Sequence, residues 1–264
     1  METLAGKTAF ITGGSTGIGL GMATTFARHD MNVVITDIRD DALTSAEQHL
    51  RQITARVLTL NVDSTDLDAL ASAAKAVERT FGPLHLLCNN AGVTGGAKVL
   101  DTPEERWRMT HEVNFWGPHN GIKVFLPGML EHGEDAHIVN TASFSGIHGH
   151  GHQSGYGTSK FALVGLSEFL RNDLADTNVG VSVLCPHVVD TPIIKALKTR
   201  VSENVAQMID AMAVAAETVG SQVVRAILAN EFYVFCDGTQ TRKMLEDRFK
   251  DMMAAMDRQF PKSQ

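Results

Sequence analysis

Seven short apolar runs recur along the chain, and each is separated from the next by a longer stretch in which apolar residues follow helical spacing. The runs cover residues 8–11, 32–36, 56–60, 84–88, 136–140, 181–185 and 232–236. Strands that alternate with helices in this way indicate βαβ units and a parallel sheet. Because crossovers between parallel strands are right-handed, the pattern predicts a doubly wound α/β fold.

The length of 264 residues and the 44% of hydrophobic residues fit one large α/β domain with a sizeable core. We therefore expect residues 1–264 to form a single domain. Within it, the apolar residues of 193–216 are spaced as in a core helix. Since they follow a strand end, we expect 190–216 to form a substrate lid. Residues 240–260 predict a C-terminal amphipathic helix.

The net charge of −7 gives no basic footprint for nucleic acid and no attraction to anionic lipid. The sequence shows neither a signal-like segment at Met1 nor an apolar run that could span a bilayer. Cys88, Cys185 and Cys236 each lie at or near the end of an apolar run. They predict three buried, reduced thiols in a cytoplasmic protein.

A glycine-rich turn follows the first apolar run and precedes a helical pattern. Gly13 would form the tight turn, Gly17 would let the backbone approach a pyrophosphate, and Gly19 would let the helix pack on the strand. The helix N-terminus would offer N–H groups to the phosphates. An ordinary βα turn remains the alternative for this cluster taken alone.

Asp37 ends the second predicted strand, about 20 residues past the glycine-rich turn. An acid at this position holds the ribose hydroxyls of NAD and repels the 2′-phosphate of NADP. Arg39 stands two residues further on and could partly offset that repulsion. The pattern favours NAD over NADP, and the alternative is an acid that only favours the N-terminus of the next helix.

Tyr156 and Lys160 lie four residues apart in a strongly helical pattern over 153–176, so they share one face of a helix. A nearby ammonium lowers the pKa of a phenol and lets it transfer protons near pH 7. Ser143 follows the fifth predicted strand, thirteen residues before Tyr156, so the two hydroxyls could meet. The alternative for the pair alone is a contact on a surface helix.

Two asparagine positions lie in contexts that call for a hydrogen-bond partner or a ligand. Asn114 is embedded between apolar residues in a predicted helix over 103–131, where it is a satisfied core amide or a kink that holds a water. Asn89-Asn90-Ala91-Gly92 follows the fourth predicted strand. It is a simple turn or part of a ligand site at the carboxyl edge of the sheet.

The loop before Tyr156 alternates histidine and glycine at His148, His150 and His152. Histidines two residues apart, without an interleaved cysteine or acid, do not form a tetrahedral metal site by themselves. We therefore expect no metal. The loop is interpreted as lying on the substrate side, where a histidine contacts substrate.

Taken together, these stretches resemble the short-chain dehydrogenase/reductase family along essentially the whole chain. The resemblance is carried by the Thr12–Gly19 turn, the Asn89–Gly92 stretch, Asn114, Ser143 and the Tyr156/Lys160 pair, in the family's order and spacing. It implies a single doubly wound Rossmann domain with a seven-stranded parallel sheet and helices on both faces. It also implies a homo-oligomer, as a tetramer or a dimer.

The resemblance further implies a catalytic tetrad and a cofactor site. Tyr156 would be the acid or base, Ser143 would hold the substrate oxygen, Lys160 would lower the Tyr156 pKa and hold the ribose, and Asn114 would position a relay water. NAD would contact residues from six parts of the chain. These residues are Gly13, Ser15, Thr16, Gly17, Ile18, Gly19, Asp37, Val62, Asp63, Asn89, Ala91, Gly92, Tyr156, Lys160, Pro186, Val189 and Thr191.

Two positions depart from the family pattern. His187 stands where the family usually has glycine after the proline, and it is expected to contact the substrate together with Ser143, Tyr156 and His148. The chain also continues from Asp237-Gly238-Thr239 into a charged helix. This ending is similar to a subgroup that includes dehydrogenases of benzylic alcohols in lignin-derived aryl ethers, which implies a bulky apolar or aromatic substrate.

The resulting hypothesis is an NAD-dependent oxidoreductase that interconverts a secondary alcohol and a ketone. A non-catalytic NAD(H)-binding sensor on the same fold is the alternative. Such a sensor could dispense with Ser143, Tyr156 or Lys160, and this chain retains all three. A methyltransferase-like fold with another adenosyl cofactor is disfavoured by the Tyr/Lys pair.

Overall fold

The computed structural model describes residues 1–199 and 201–261. Within these residues, seven parallel strands form one sheet in the order β3-β2-β1-β4-β5-β6-β7. The strands are β1 Thr8–Thr12, β2 Asn32–Asp37, β3 Val57–Asn61, β4 Leu86–Asn89, β5 Ala136–Thr141, β6 Val179–Cys185 and β7 Tyr233–Phe235. The predicted doubly wound fold is confirmed, and the seven apolar runs form the seven strands.

Helices cover both faces of the sheet. They are α1 Gly17–Arg28, α2 Asp40–Arg51, α3 Leu67–Phe81, α4 Glu104–His111, α5 Gly117–Glu131, α6 Ser154–Asp173, α7 Pro192–Lys198, α8 Glu203–Met212, α9 Ala216–Ala229 and α10 Gln240–Gln259. Neighbouring strand residues point to opposite faces, so Ile11 packs in one apolar cluster and Phe10 in the other. Both faces of β1 are therefore apolar, as expected for a buried parallel strand.

The helix predicted over 103–131 is interrupted. After α4, the residues Glu112–Trp116 form a π-helical segment, and α5 then continues to Glu131. Asn114 lies in the π segment, where its side chain bonds to the backbone of Val93 instead of pointing to solvent. Asn114 is thus a satisfied core amide, and the helix around it is also irregular, as π-bulges often are at functional positions.

The segment predicted as a lid contains α7 and α8, while Arg200 within it lies outside the described residues. A bridge between Val189 and Val214 joins the two ends of the segment. Met208 is 63% exposed, and Ile193 and Leu197 are also exposed, although their spacing is that of a core helix. These apolar side chains are therefore not core residues in this structure.

The helix α10 forms as predicted and contacts α6, where the Arg248 guanidinium lies 5.1 Å from the centroid of the Phe161 ring. Cys88, Cys185 and Cys236 are buried and free, as predicted. In the described parts of the chain, no helix combines the length and apolarity that crossing a membrane would require.

Candidate active site

The predicted site residues converge at the carboxyl edge of the sheet. Asn89, Thr141 and Cys185 end the neighbouring strands β4, β5 and β6, and the glycine-rich turn follows β1. The strand order reverses between β1 and β4, since β1 continues to β2 on one side while β4 leads to β5 on the other. A crevice at such a reversal is where ligands bind in doubly wound folds.

The glycine-rich turn is packed so closely that side chains would not fit. Gly13 has a φ of +61°, and a Cβ atom there would lie 2.8 Å from the Ala91 Cα. A Cβ at Gly19 would lie 2.2 Å from the Gly13 carbonyl oxygen. Gly17 also has a positive φ, of +55°, and packs beside Thr191. The tight turn at Gly13 and the close packing at Gly19 agree with the roles that the spacing predicts, and the approach of a pyrophosphate at Gly17 stays a prediction.

The N-terminus of α1 is open to an anion. No side chain caps this end of the helix, and its first turn carries no acid. Ser15 is buried, and Thr16 and Ile18 are half-buried beside it. Free N–H groups at a helix N-terminus, next to a backbone without side chains, fit the pyrophosphate of a dinucleotide. The residues present therefore fit NAD or NADP.

The Asn89–Gly92 stretch is joined to β1 by hydrogen bonds. The backbone N–H groups of Asn90 and Ala91 both donate to the Thr12 hydroxyl, over 2.9 and 3.0 Å. The Asn90 side chain donates to the carbonyl oxygens of Thr12 and Gly13. The stretch therefore fixes the shape of the glycine-rich turn. Its place in a ligand site stays a prediction.

Asp37 lies at the end of β2, and both of its oxygens are engaged. Arg39 donates to them from Nε over 3.0 Å and from a terminal nitrogen over 3.1 Å, and the Ser15 hydroxyl also donates to the carboxylate. Burial alone would raise the pKa of Asp37, but the hydrogen bonds from Arg39 and Ser15 outweigh it and hold this pKa below its usual value. Asp37 is therefore ionised at neutral pH.

The remaining cofactor candidates lie along the same edge. Val62 is buried, and the Asp63 carboxylate accepts from the N–H and the hydroxyl of Thr65. Asn89 is buried, and its Oδ1 atom has no hydrogen-bond partner among the described residues. Pro186, Val189 and Thr191 follow β6, and the Thr191 hydroxyl accepts from the Ile194 N–H at the start of α7.

Asn114 is fully buried and uses both ends of its amide. Its oxygen accepts from the Val93 N–H over 2.8 Å, and its nitrogen donates to the Val93 carbonyl and to the Ser159 hydroxyl. A Cβ atom on Gly92 would lie 3.2 Å from the Asn114 oxygen and 3.5 Å from Lys160 Nζ. Asn114 and Lys160 therefore flank the same glycine.

Ser143 and Tyr156 are brought together as predicted. Ser143 is buried just past β5, and its hydroxyl accepts from the Ser145 N–H over 3.1 Å. Burial raises the pKa of Tyr156, and a side-chain hydrogen bond with Ser143 opposes that rise. The two hydroxyls lie next to each other, so a substrate oxygen could contact both.

Lys160 lies on the same face of α6 as Tyr156, with Nζ 5.9 Å from the centroid of the tyrosine ring. Its ammonium donates to the Thr141 carbonyl over 2.8 Å, and burial lowers the pKa of Lys160 to about 8. The sequence predicts a lowered Tyr156 pKa, whereas the pKa of Tyr156 is raised here. Burial prevails because the ammonium is directed to Thr141 and not to the phenol.

The histidine loop packs against the residue that follows Ser143. The His148 ring stacks on Phe144 with centroids 5.3 Å apart, and the His187 ring lies 4.9 Å from Phe144 on a tilted plane. His150 instead pairs with the Gln153 side chain over 3.2 Å. Among the described residues, no group of three or more His, Cys, Asp or Glu side chains could hold a metal ion.

Several contributing residues were not identified from the sequence. Thr12 and Ser159 hold the backbone and the amide that shape the site, and Phe144 lies between two imidazoles. The feature of the sequence that could have identified Thr12 is its position at the end of β1. No local pattern points to Ser159 or Phe144, because their roles depend on contacts between distant segments.

Known proteins are similar to this chain in sequence and in overall structure. The chain is 35% identical over 248 residues to 1-deoxy-11-beta-hydroxypentalenate dehydrogenase of Streptomyces exfoliatus, covering 93% of this chain and 88% of the relative. A short chain dehydrogenase/reductase from Burkholderia phymatum, solved in complex with NAD, superposes with a TM-score of 0.88 at 31% identity, over 97% of both chains.

A second solved structure, the apo form of LigO from Sphingobium sp. strain SYK-6, is equally similar. It superposes with a TM-score of 0.88 at 32% identity, over 99% of this chain and 93% of LigO. The sequence model of the short chain dehydrogenases matches residues 7–202, from the residue before β1 to the residue before α8. With this match and the shared architecture, the chain belongs to the short chain dehydrogenase/reductase family of oxidoreductases.

Proposed function

We propose that this protein is an NAD-dependent dehydrogenase that interconverts a secondary alcohol and a ketone, with Tyr156 as the acid or base. One observation carries the proposal: the Ser143 and Tyr156 side chains lie close enough to interact, while the Asn114 oxygen and Lys160 Nζ both approach the same face of Gly92. A reacting oxygen bound between the two hydroxyls would have a proton donor and a second hydrogen-bond partner.

Tyr156 transfers the proton at the reacting oxygen. In ketone reduction its hydroxyl donates to the developing alkoxide, and in alcohol oxidation its phenolate accepts the proton. The Ser143 hydroxyl binds the same oxygen and keeps it within reach. Because burial raises the pKa of Tyr156, the oxidation direction needs a nearby positive charge to favour the phenolate.

Lys160 and Asn114 supply that charge and a route for the proton. The Lys160 ammonium lies beneath the tyrosine ring and stabilises a phenolate once one forms. Asn114 holds the Val93 backbone through both of its amide groups, and this fixes the wall of the site next to Lys160. A water bound between Asn114 and Lys160 would pass the proton towards solvent.

The glycine-rich turn, Asp37 and the residues after β6 would bind the dinucleotide. NAD, when bound, supplies the carbon that accepts or donates the hydride. The ionised Asp37 favours ribose hydroxyls over a 2′-phosphate, which supports NAD over NADP. The Burkholderia structure was solved with NAD, which also supports this choice.

The substrate is proposed to be bulky and apolar or aromatic. Ile193, Leu197 and Met208 present apolar side chains on the lid near the end of β6, where they could cover such a substrate. His148 and His187 would add polar contacts on the Phe144 side of the pocket. The relative from Streptomyces exfoliatus is by name a dehydrogenase of a hydroxylated acid, which supports oxidation of a carbinol.

The decisive experiment compares Tyr156→Phe with Tyr233→Phe. The chain has two tyrosines, and Tyr233 bonds Glu168 away from the site, so its substitution is a matched control. With NAD and a panel of aliphatic, alicyclic, steroid and aryl secondary alcohols, Tyr156→Phe should lower kcat by about 10²–10⁴-fold. NADH binding, measured by fluorescence, should persist in both variants.

Two results would contradict the proposal. Near-parental turnover by Tyr156→Phe would remove tyrosine from the mechanism. If the parent bound NADH but turned over no alcohol or ketone of the panel, the alternative of a non-catalytic NAD(H) sensor would replace the enzyme.

We also propose that the protein self-associates through α5 and α6. Phe169 on α6 is 73% exposed, and Trp116 at the start of α5 is 46% exposed. Large apolar side chains on adjacent helices favour a helix-against-helix contact with a second copy. Light scattering should give a dimer or tetramer for the parent and a smaller species for Phe169→Glu, whereas a monomeric parent would contradict this.

A further inference from the structure

His187 stands at the carboxyl edge of β6, next to the strand that leads to Ser143. The Phe144 N–H donates to the Pro186 carbonyl over 2.8 Å, so the residues after Ser143 and those before His187 are directly joined. The His187 ring then lies 4.9 Å from the Phe144 ring. This places an imidazole against the residue that follows Ser143 in the chain.

One side of this imidazole faces a carboxylate. His187 Nδ1 lies 3.7 Å from Asp237 Oδ2, and both side chains are about one quarter exposed, at 24% and 25%. Asp237 is itself held by the start of α10, where it accepts from the N–H of Thr241 over 3.0 Å and from its hydroxyl over 2.6 Å. The C-terminal helix therefore holds the Asp237 carboxylate 3.7 Å from His187 Nδ1, where the two groups attract each other.

The other ring nitrogen is free for a ligand. Among the described residues, the His187 ring has no hydrogen-bond partner within 3.5 Å. Its nitrogens are also not among the buried atoms that lack a partner, so they are accessible to a ligand. An imidazole that turns Nδ1–H to a carboxylate keeps a lone pair on Nε2 when it is neutral. Such an Nε2 accepts a hydrogen bond and does not donate one.

We propose that His187, oriented by Asp237, is a specificity-determining residue whose Nε2 accepts a hydrogen bond from a second hydroxyl of the substrate. This rests on the proposed alcohol dehydrogenase function and names its substrate class as a diol or a hydroxyketone. The hydroxyl binds on the Phe144 side of the reacting carbon. Asp237 is a positioning residue, since it acts through His187.

The groups that face His187 keep it neutral at pH 7. Burial lowers its pKa, Asp237 opposes this, and His150 from the loop before α6 lowers the pKa further. His148 lies across the Phe144 ring from it. As the pH falls through the His187 pKa, Nε2 gains a proton and loses its ability to accept, so selectivity for the second hydroxyl should fall in acid.

The test uses three probes with NAD: 1-phenylpropane-1,3-diol, its 3-O-methyl ether and 1-phenylpropan-1-ol. The ether keeps the oxygen but cannot donate. We expect the parent to prefer the diol over the ether in kcat/KM by about tenfold or more, because a site built for a hydroxyl rejects an analogue lacking it. His187→Gly should bring this ratio near one, mainly through KM, and Asp237→Asn should reduce it.

His152→Asn is the control, since His152 is exposed on the neighbouring loop, and it should keep the parental ratio. A second readout does not depend on turnover. In ¹⁵N NMR of the imidazoles, with His187 assigned by its loss in His187→Gly, the parent should show the Nδ1–H tautomer of a neutral ring. Asp237→Asn should shift it towards Nε2–H.

The outcomes separate this inference from the function beneath it. The role of His187 is overturned if all three probes turn over with equal rates for the diol and the ether, or if the parent shows an Nε2–H tautomer. In either case the proposed dehydrogenase function still stands. Absence of turnover with every alcohol tested removes the proposed function, and this inference with it. A diol preference that survives in His187→Gly also overturns the inference.

Discussion

Arg39 binds the carboxylate of Asp37 with two nitrogens of its guanidinium group, Nε on one oxygen over 3.0 Å and a terminal nitrogen on the other over 3.1 Å. The same guanidinium also contacts the hydroxyls of Ser15 and Thr16 in the glycine-rich turn. The acid proposed to favour NAD and the cation that could accept a 2′-phosphate are therefore one unit. Cofactor choice depends on their balance.

Substituting either member of this pair should shift cofactor choice in opposite directions. Asp37→Ala removes the charge that repels a 2′-phosphate and leaves Arg39 free to bind it, so kcat/KM for NADP relative to NAD should rise by about tenfold or more. Arg39→Ala leaves an unmatched carboxylate, and NADP use should fall further. Steady-state kinetics with both cofactors measures the ratio, and an unchanged ratio in Asp37→Ala would contradict the assignment.

Lys160, which is proposed to act in the reaction, carries a cost to stability. Its pKa is lowered from 10.5 to about 8 by burial, so at pH 7 the folded protein holds a buried charge that the unfolded chain exposes to water. Between about pH 8 and 10.5 the unfolded chain binds more protons than the folded protein. The stability of the parent should therefore rise with pH across this window.

Lys160→Met should abolish turnover and yet stabilise the fold at pH 7. The expected gain is at most about 3 kcal/mol, since one pKa unit is about 1.4 kcal/mol. Loss of the hydrogen bond to Thr141 offsets about 1 kcal/mol of this. Urea unfolding at pH 7 and at pH 10 would check it, with the gain over the parent shrinking at the higher pH. A variant less stable than the parent at both pH values would show that burial of this ammonium carries no such cost.

The sheet and its carboxyl edge were predictable because they depend on local signals. Apolar runs such as 32–36 are buried on both faces and need no distant partner to be recognised as strands. The glycine-rich turn is likewise local, since Gly13 and Gly19 avoid clashes within one short stretch or with the adjacent strand end. Sequence order then placed Ser143 and Tyr156 near each other.

The rest depends on contacts between segments far apart in sequence. In the π-helical segment, the Asn114 amide bonds Val93, which precedes it by 21 residues. The contact between His187 and Asp237 joins the ends of β6 and β7. The apolar spacing of residues 193–216 could not distinguish a core helix from an exposed one, because the exposure of Met208 is decided by the surrounding structure.

Gly19→Ala, compared with a glycine-to-alanine change elsewhere in a helix, should show whether cofactor binding depends on the tight packing of the glycine-rich turn. The new methyl group would lie 2.2 Å from the Gly13 carbonyl oxygen and 2.6 Å from the Asn90 side chain, so the turn must shift. We expect NADH affinity to fall by about tenfold or more and stability to fall by about 1–3 kcal/mol. The control Gly128→Ala, inside α5 with no atom within 4 Å, should gain about 0.5–1 kcal/mol and keep its affinity.

Fluorescence titration with NADH and thermal unfolding would measure these two effects separately. Unchanged NADH affinity in Gly19→Ala would mean that the turn does not approach the cofactor. A similar loss of affinity in Gly128→Ala would mean that the effect is not specific to the turn.

His137 should make the fold sensitive to acid. It is fully buried in β5, with Nε2 2.8 Å from the Ser182 hydroxyl, which itself donates to the Glu231 carbonyl. Nε2 must therefore carry the proton, and Nδ1 is buried with no partner in the described chain, packed against Gly180. A second proton has no acceptor there, and burial lowers the pKa of His137 to about 3.

Because the pKa of His137 is lowered on folding, the unfolded chain binds a proton in this pH range that the folded protein does not bind. As the pH falls from 6.5 towards 3, stability should drop by about 1.4 kcal/mol per pH unit. His137→Gln cannot titrate, so its stability should fall less steeply than that of the parent, although its stability at pH 7 should be lower by about 1–3 kcal/mol. Burial also lowers the pKa of His85, but that contribution is common to both proteins and cancels in the comparison. Urea unfolding between pH 7 and 4.5 measures how steeply the stability of each protein falls with pH. His152→Asn is a control that should follow the parent. Equal slopes for the parent and His137→Gln would show that His137 is not the acid-sensitive group.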